Sequence, residues 1–450
     1  MKKSKSNTRF VCQSCGFIVQ KWFGKCPECG SWNSFAEEVE QNSRKLVSIS
    51  ESKPILLSEA GRVTIKRAET NFKELNRVLG GGFVPGSVIL LGGDPGIGKS
   101  TLALQILSSI QGRFLYVSGE ESVNQINLRS KRVEVKNENL YLLSETNLEN
   151  ILEKTKELSA EIVVIDSIQT LFSTELSSSP GSVSQIRECG ARLAGHSKIF
   201  NTTFLVIAHV TKDGSIAGPK VLEHLVDTVL YFEGGKGHPY RILRSWKNRF
   251  GATNEIGVFE MHHNGLAEVK NPSEAFISER PNGVAGSIIS PSIEGTRPIL
   301  IEIQSLVAGS SYASPRRTTT GLDSNRVAIL IAVLEKIAGL QISDKDIFMN
   351  ITGGVSIEEP AIDLGICLSL YSSFLEKPLD HELVVFGEVG LSGEIRAVSQ
   401  ADIRIREASK LGFKKFLIPR TNVDKPLENL SSTISIKGIK NIKEAIEYVA

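Results

Sequence analysis

Between about Phe72 and Val269 the chain alternates short apolar runs with longer stretches whose apolar positions recur every three or four residues. SVILLGG, RFLYVSG, EIVVIDS and TTFLVIAH have the length and residue types of buried strands, and STLALQILSSIQ has the period of an amphipathic helix. Such alternation predicts an α/β domain built on a largely parallel sheet. After the turn-rich NPSEAFISERPNG a further series begins. There PILIEIQSLV predicts a strand, NRVAILIAVLEKIAGL and AIDLGICLSLYSSFL predict helices, and KKFLIPR predicts a short strand. Upstream, four cysteines crowd the first 30 residues, and SWNSFAEEVEQNSRKLVSISESKP reads as a polar linker. The pattern predicts a cysteine module at 1–35, a linker at 36–65, an α/β core at 66–271 and a C-terminal α/β domain at 272–450.

A chain of 450 residues exceeds one ordinary hydrophobic core and fits roughly three domains. Its 41% apolar and 23% charged content is that of a folded soluble protein. A formal net charge of +2 favours no class of partner, so any nucleic-acid contact requires a local basic surface. The start MKKSKSNTRF leads into a cysteine-bearing segment and not into an apolar core, so no secretory signal is expected. No apolar run approaches the ~20 residues of a membrane span. A cytoplasmic location is expected, where the six cysteines are reduced or metal-bound.

Cys12, Cys15, Cys26 and Cys29 form CxxC, ten intervening residues, then CxxC, with Gly16 and Gly30 after the pairs. Two such knuckles place four thiolates around one tetrahedral Zn2+, a closed set that folds a segment too small for its own core. Lys21, Trp22, Phe23 and Lys25 lie between the knuckles, where the aromatics either cover the metal or meet nucleic acid or a partner protein. Cys189 and Cys367 fall in helical patterns and read as core.

Gly93, Asp94, Pro95, Gly96, Ile97, Gly98, Lys99 and Ser100, followed by Thr101, satisfy GxxxxGK(S/T) between a predicted strand and a predicted helix. In a P-loop the backbone N–H groups converge on phosphate, the lysine reaches the β and γ oxygens and the serine hydroxyl ligates Mg2+, which implies ATP and Mg2+ at this site. Asp166 ends EIVVIDS and is the expected magnesium carboxylate, binding directly or through the water shell. Glu120 and Glu121 follow RFLYVSG, and one of them orients or deprotonates the attacking water; Glu120 is the expected base and Glu121 the alternative. His209 closes TTFLVIAH, in position to sense the γ-phosphate and pass its state to the loop TKDGSIAGPK.

The cysteine module, the P-loop, LEHLVDTVLYFEG and above all KNRFG at Lys247 to Gly251 together resemble the RadA (Sms) family of bacterial DNA repair proteins, over essentially the whole chain. The resemblance implies a RecA-like P-loop ATPase core joined to a Lon-protease-like domain. It implies an ATP-driven protein of homologous recombination that binds single-stranded and branched DNA, works with the RecA recombinase in branch migration or unwinding, and assembles as a homo-hexameric ring. Lys247 and Arg249 then become cationic fingers for transition-state charge, in the neighbouring subunit's site. Family members often carry Gly before the histidine where this chain has Ala208.

The Lon-like resemblance is closest over 346–450, through NITGGVSIEEPAIDLGICLSL and FGEVGLSGEIRAVSQADIRIREASKLG. A Lon-type peptidase needs a serine nucleophile and a lysine base. The resemblance sets Asp363 in the serine's place and Asp402 in the lysine's, so the domain reads as a scaffold for assembly and DNA contact and not as a peptidase. Arg316, Arg317 and Arg326 are the candidate phosphate contacts there.

Overall fold

A computed structural model describes residues 8–13, 16–39, 56, 66–209, 218–234, 239–310, 314–424 and 434–450. The chain separates into two units, one holding the residues up to Glu233 with Arg241–Glu268, the other Gly234–Tyr240 with Val269–Ala450.

The first unit opens with a three-stranded antiparallel ribbon, β1 (Thr8–Cys12), β2 (Ile18–Val19) and β3 (Phe35–Val39), in the order β2-β1-β3. Its small core consists of Cys12, Cys26 and Phe35, backed by Phe10, Phe17 and Val19. Beyond the linker lies a nine-stranded sheet of β4 (Val88–Gly93), β5 (Phe114–Ser118), β6 (Leu140–Ser144), β7 (Ile162–Asp166), β8 (Thr203–His209), β9 (Thr228–Glu233), β10 (Tyr240–Asn248), β11 (Ile256–His262) and β12 (Gly265–Glu268). Its order is β12-β11-β10-β9-β4-β8-β7-β5-β6, and the six strands from β9 to β6 pair in parallel. The strands read as continuous apolar runs because both faces are covered. Ile89 and Leu91 pack with Leu102, Leu104, Ile106 and Leu107 of helix α1 (Lys99–Ser109) on one side. Val88 and Leu90 pack with Ile186, Cys189 and Leu193 of helix α3 (Val183–Phe200) on the other, with α2 (Val123–Arg132) lying between them in the chain. Each fully buried aliphatic side chain contributes about 1.5–3 kcal/mol.

The second unit carries a seven-stranded sheet of β13 (Ser287–Glu294), β14 (Arg297–Gly309), β15 (Arg317–Thr320), β16 (Lys345–Ile351), β17 (Leu383–Val385), β18 (Lys415–Pro419) and β19 (Ser435–Ile439). The order is β15-β16-β14-β13-β17-β18-β19, with an antiparallel hairpin of β13 and β14 and parallel pairing from β13 through β17 and β18 to β19. Helices α4 (Ser324–Ala338), α5 (Asp363–Phe374) and α6 (Ala401–Lys410) follow β15, β16 and β17 in the chain. The strands and helices predicted from PILIEIQSLV, NRVAILIAVLEKIAGL, AIDLGICLSLYSSFL and KKFLIPR are β14, α4, α5 and β18.

A buried ion pair anchors α6 in this unit. Arg404 of α6 is fully buried, donating from Nη1 to Pro291 O (2.8 Å) and Glu359 Oε2 (2.9 Å) and from Nε to Ser399 O (3.0 Å). Its Nη2 reaches Glu359 Oε1, and the guanidinium lies over the Phe386 ring. Removing one partner of such a pair leaves the other charge without compensation. Arg404→Ala is therefore expected to lower the stability of this unit by about 3–5 kcal/mol, read as a shifted denaturant midpoint. An unshifted midpoint would contradict the account.

Candidate nucleotide site and cysteine ribbon

The geometry starts at the carboxyl end of β4. Gly93 has φ +150°, and a Cβ there would come within 2.5 Å of Phe232 O, so the chain can turn out of the sheet only as glycine. Around Gly96, by contrast, nothing lies within 4 Å of an added Cβ, so the crest of the loop is open, a cradle with room for phosphate. α1 begins at Lys99 behind Gly98, which supplies no capping side chain, so its first N–H groups remain available to an anion. Pro95, Gly96, Gly98, Lys99, Ser100 and Thr101 line the resulting pocket, while Ile97 turns into the core and its backbone donates to Asp94 O at 3.3 Å.

Lys99 is 3% exposed, and its Nζ donates to Gly93 O (2.6 Å) and Asp94 O (2.9 Å). Burial lowers its pKa to about 8, against the opposing pull of Asp166, Asp94 and Glu120. Parallel pairing sets Ser118 beside Asp166 and Gly93 beside His209, so the residues that end β4, β5, β7 and β8 reach one edge. Asp166 Oδ2 accepts from the buried Tyr116 hydroxyl at 2.5 Å.

The two neighbouring glutamates have different surroundings. Glu120 Oε1 accepts from Ser167 Oγ at 2.9 Å and lies 3.7 Å from His209 Nε2. Glu121 is engaged by Arg129 of α2, and its backbone N–H donates to Ser118 Oγ at 2.9 Å. Burial, and then the Lys99 charge, hold His209 below its usual pKa, so at neutral pH it meets Glu120 as a neutral imidazole. Gln169 Nε2 donates to His209 O at 3.0 Å. Most of the loop assigned to receive its signal, residues 211–217, lies outside the described residues.

Lys247 and Arg249 stand elsewhere. Asn248 pairs with Thr228, and Thr228 pairs with Ile89, so KNRFG sits at the start of β4, opposite the P-loop edge. From Ile89 to Gly93 the strand spans roughly 13 Å, which keeps both side chains away from their own chain's P-loop. Lys247 Nζ donates to Glu223 O (2.6 Å) and Val226 O (2.8 Å), and Arg249 Nη1 lies 3.0 Å from Asp227 Oδ1.

In the second unit Arg316 and Arg317 are exposed, at the start of β15. The expectation for Arg326 requires correction. Its Nε donates to Asp363 Oδ1 at 2.9 Å and its Nη2 to Oδ2, so its planar fork is occupied by the carboxylate and is not free for phosphate. Asp363, 1% exposed, also accepts from Val389 N at 3.1 Å, whereas Asp402 is paired with Arg406 at 3.1 Å. The two aspartates thus have separate cationic partners.

In the ribbon the sulfurs of Cys12, Cys26 and Cys29 all lie within 4.8 Å of one another, and those of Cys12 and Cys29 are 3.7 Å apart. Four sulfurs about 2.3 Å from a tetrahedral ion are separated by roughly 3.8 Å, so these residues fit a metal. Cys15, the expected fourth ligand, lies outside the described residues. Trp22 and Phe23 are each about half exposed, at 53% and 51%, and Trp32 is 71% exposed. The covering reading of the first two is thereby corrected: Phe10, Phe17 and Phe35 pack on the cysteines instead.

Tyr116, Ser167, Gln169 and Arg129 escaped the sequence reading. Ser167 and Gln169 follow Asp166 directly, so their emergence at the edge where strand β7 ends was the available signal.

Three family models match parts of the chain: an AAA domain over residues 56–215, a rubredoxin metal binding domain over 10–37, and subunit ChlI of Mg-chelatase over 317–422. The architecture is accordingly a metal-binding ribbon, a RecA-like ATPase domain and a ChlI-like and Lon-like C-terminal domain. Among the described residues no helix is long and apolar enough to cross a membrane. Proteins named DNA repair protein RadA align over nearly the whole chain. That of Halalkalibacterium halodurans is 49% identical, covering 99% of both chains. That of Bacillus subtilis is 48% identical over 98% of both, and that of Listeria monocytogenes 47% over 99% of both. With such identity running from the cysteine ribbon to the C-terminal sheet, this chain belongs to the RadA family of DNA repair proteins.

Proposed function

We propose that this chain is a DNA-dependent ATPase of recombination and repair, which binds single-stranded and branched DNA and uses ATP in a homo-hexameric ring to drive branch migration or unwinding alongside the RecA recombinase. The observation that carries the reading is the meeting of Lys99, Asp166, Glu120 and His209 at one sheet edge, with Lys247 and Arg249 on the opposite edge. Relatives at 46–49% identity are named DNA repair proteins, which supports DNA as the load.

In this reading the loop from Gly93 to Thr101 encloses the phosphates with backbone N–H groups, Lys99 pairs with the β and γ oxygens, and Ser100 and Asp166 face Mg2+. When bound there, Mg2+ would supply charge neutralisation on the phosphates. Glu120 orients the attacking water and takes its proton, held toward the site by Ser167, while Glu121 stays with Arg129. His209 reports the γ-phosphate to the loop that follows. Lys247 and Arg249, a strand length from their own P-loop, complete the site of the next subunit in the ring. The ribbon binds Zn2+ through Cys12, Cys15, Cys26 and Cys29 as a structural ion. The C-terminal domain serves assembly and DNA contact, with Arg316 and Arg317 meeting phosphate. In this reading it has no peptidase activity, because Asp363 and Asp402 stand in place of the serine nucleophile and the lysine base and are each paired with an arginine.

The experiment that tests the reading is ATP hydrolysis by the full chain with and without single-stranded DNA. Hydrolysis is expected to rise with DNA, and Glu120→Gln to lower kcat by about 10²–10⁴-fold with nucleotide affinity nearly kept. Glu121→Gln is expected to lower kcat less than tenfold. Indifference to DNA would count against the motor, and the reverse order of the two variants would move the base to Glu121.

The Lys99 environment adds a pH dependence. Below about 8 Lys99 is protonated, whereas above that value the free protein loses the proton that phosphate requires. Bound phosphate raises the pKa, so nucleotide binding takes up a proton and weakens as pH rises through and beyond 8, by at most tenfold per unit. Fluorescence titration with a labelled nucleoside diphosphate reads this slope. It should vanish in Lys99→Met, and an equal slope in that variant would contradict the assignment.

A further inference from the structure

We propose that Tyr116 is a positioning residue for the magnesium-facing carboxylate: its buried phenol, behind the pocket wall, holds Asp166 in the orientation that a cation site requires. The inference rests on the reading of Asp166 as a group that faces Mg2+.

Tyr116 lies in the middle of β5, fully buried, in the hydrophobic layer that includes Leu102 and Ala103 of α1. A phenylalanine would fill this place as well. A buried hydroxyl is costly unless it is partnered, so its presence calls for a partner that uses it. The partner is Asp166, whose Oδ2 accepts from the phenol at 2.5 Å. Asp166 and Ser100 both line the nucleotide pocket, one at the end of β7 and the other in the first turn of α1. Tyr116 therefore fixes from the dry side, across from β5 to the end of β7, the carboxylate that faces Ser100's pocket.

Asp166 takes this neutral donor, while Lys99 bonds to the carbonyls of Gly93 and Asp94. A neutral donor orients a carboxylate without cancelling its charge, which is what a cation site needs in its supporting groups. A salt bridge in the same place would compete with the metal.

The test is nucleotide affinity, not turnover. A fluorescent ADP analogue is titrated into the full chain in EDTA and across a series of Mg2+ concentrations. In Tyr116→Phe, which keeps the ring, the Mg2+ concentration for half-maximal tightening is expected to rise about tenfold, as for loss of a hydrogen bond to a charged group, with affinity in EDTA unchanged. In an Asp166→Asn background the same change is expected to add nothing. An unaltered Mg2+ midpoint in Tyr116→Phe, or an equal loss of affinity with and without Mg2+, overturns the positioning role while leaving the magnesium reading standing. Absence of any Mg2+ effect in the unaltered chain overturns that reading and the inference with it.

Discussion

Parallel strands deliver everything that follows their carboxyl ends to the same edge of a sheet, and the nucleotide site of this protein depends on that constraint. Pairing of β4 with β8 and of β5 with β7 sets Gly93 beside His209 and Ser118 beside Asp166. The loops leaving those strands have nowhere else to go. Glycine at position 93 lets the chain leave the sheet under the Phe232 carbonyl, and α1 then points its open N-terminus at the same edge. The apolar layers on both faces hold the strands in register, and so hold side chains distant in sequence within hydrogen-bonding reach of one another.

Two adjacent carboxylates acquire different surroundings from the same geometry. Glu121 is drawn to Arg129 on α2, whereas Glu120 meets the Ser167 hydroxyl and the imidazole of His209. Sequence spacing sets them side by side and cannot separate them; the partner each finds does. The second unit shows the complementary case. Asp363 and Asp402 are each neutralised by an arginine, and the Arg326 fork closes over a buried carboxylate at the start of α5. The Arg326–Asp363 pair links α4 to α5, whereas Asp402–Arg406 is an exposed pair within α6.

Much of this was legible in the chain. The apolar runs gave the strands that build the ATPase sheet, because a strand covered on both faces cannot alternate, and the P-loop glycines and lysine announced their own conformation and chemistry. What was not legible is pairing across distance. Tyr116 reads as one more apolar strand residue until β7 is set beside β5. Arg326 reads as a candidate phosphate contact until α5 places Asp363 against it. Trp22 and Phe23 read either as cover for the cysteines or as a contact surface, and the cover is Phe10, Phe17 and Phe35, which flank the knuckles in the ribbon strands and loop. In each case the residue type was visible and its partner was not.

The central claim is that a site built at one edge of the sheet is completed by cations from the opposite edge of another subunit, since Lys247 and Arg249 lie a strand length from their own P-loop. The most direct measurement is ATP hydrolysis by mixtures of two full-length variants, Lys99→Ala and Lys247→Ala, each inactive by itself. The account predicts that mixing restores hydrolysis, because a subunit with an intact P-loop then borders one with an intact Lys247. Mixtures as inactive as the separate variants, under conditions where both assemble together, would contradict it.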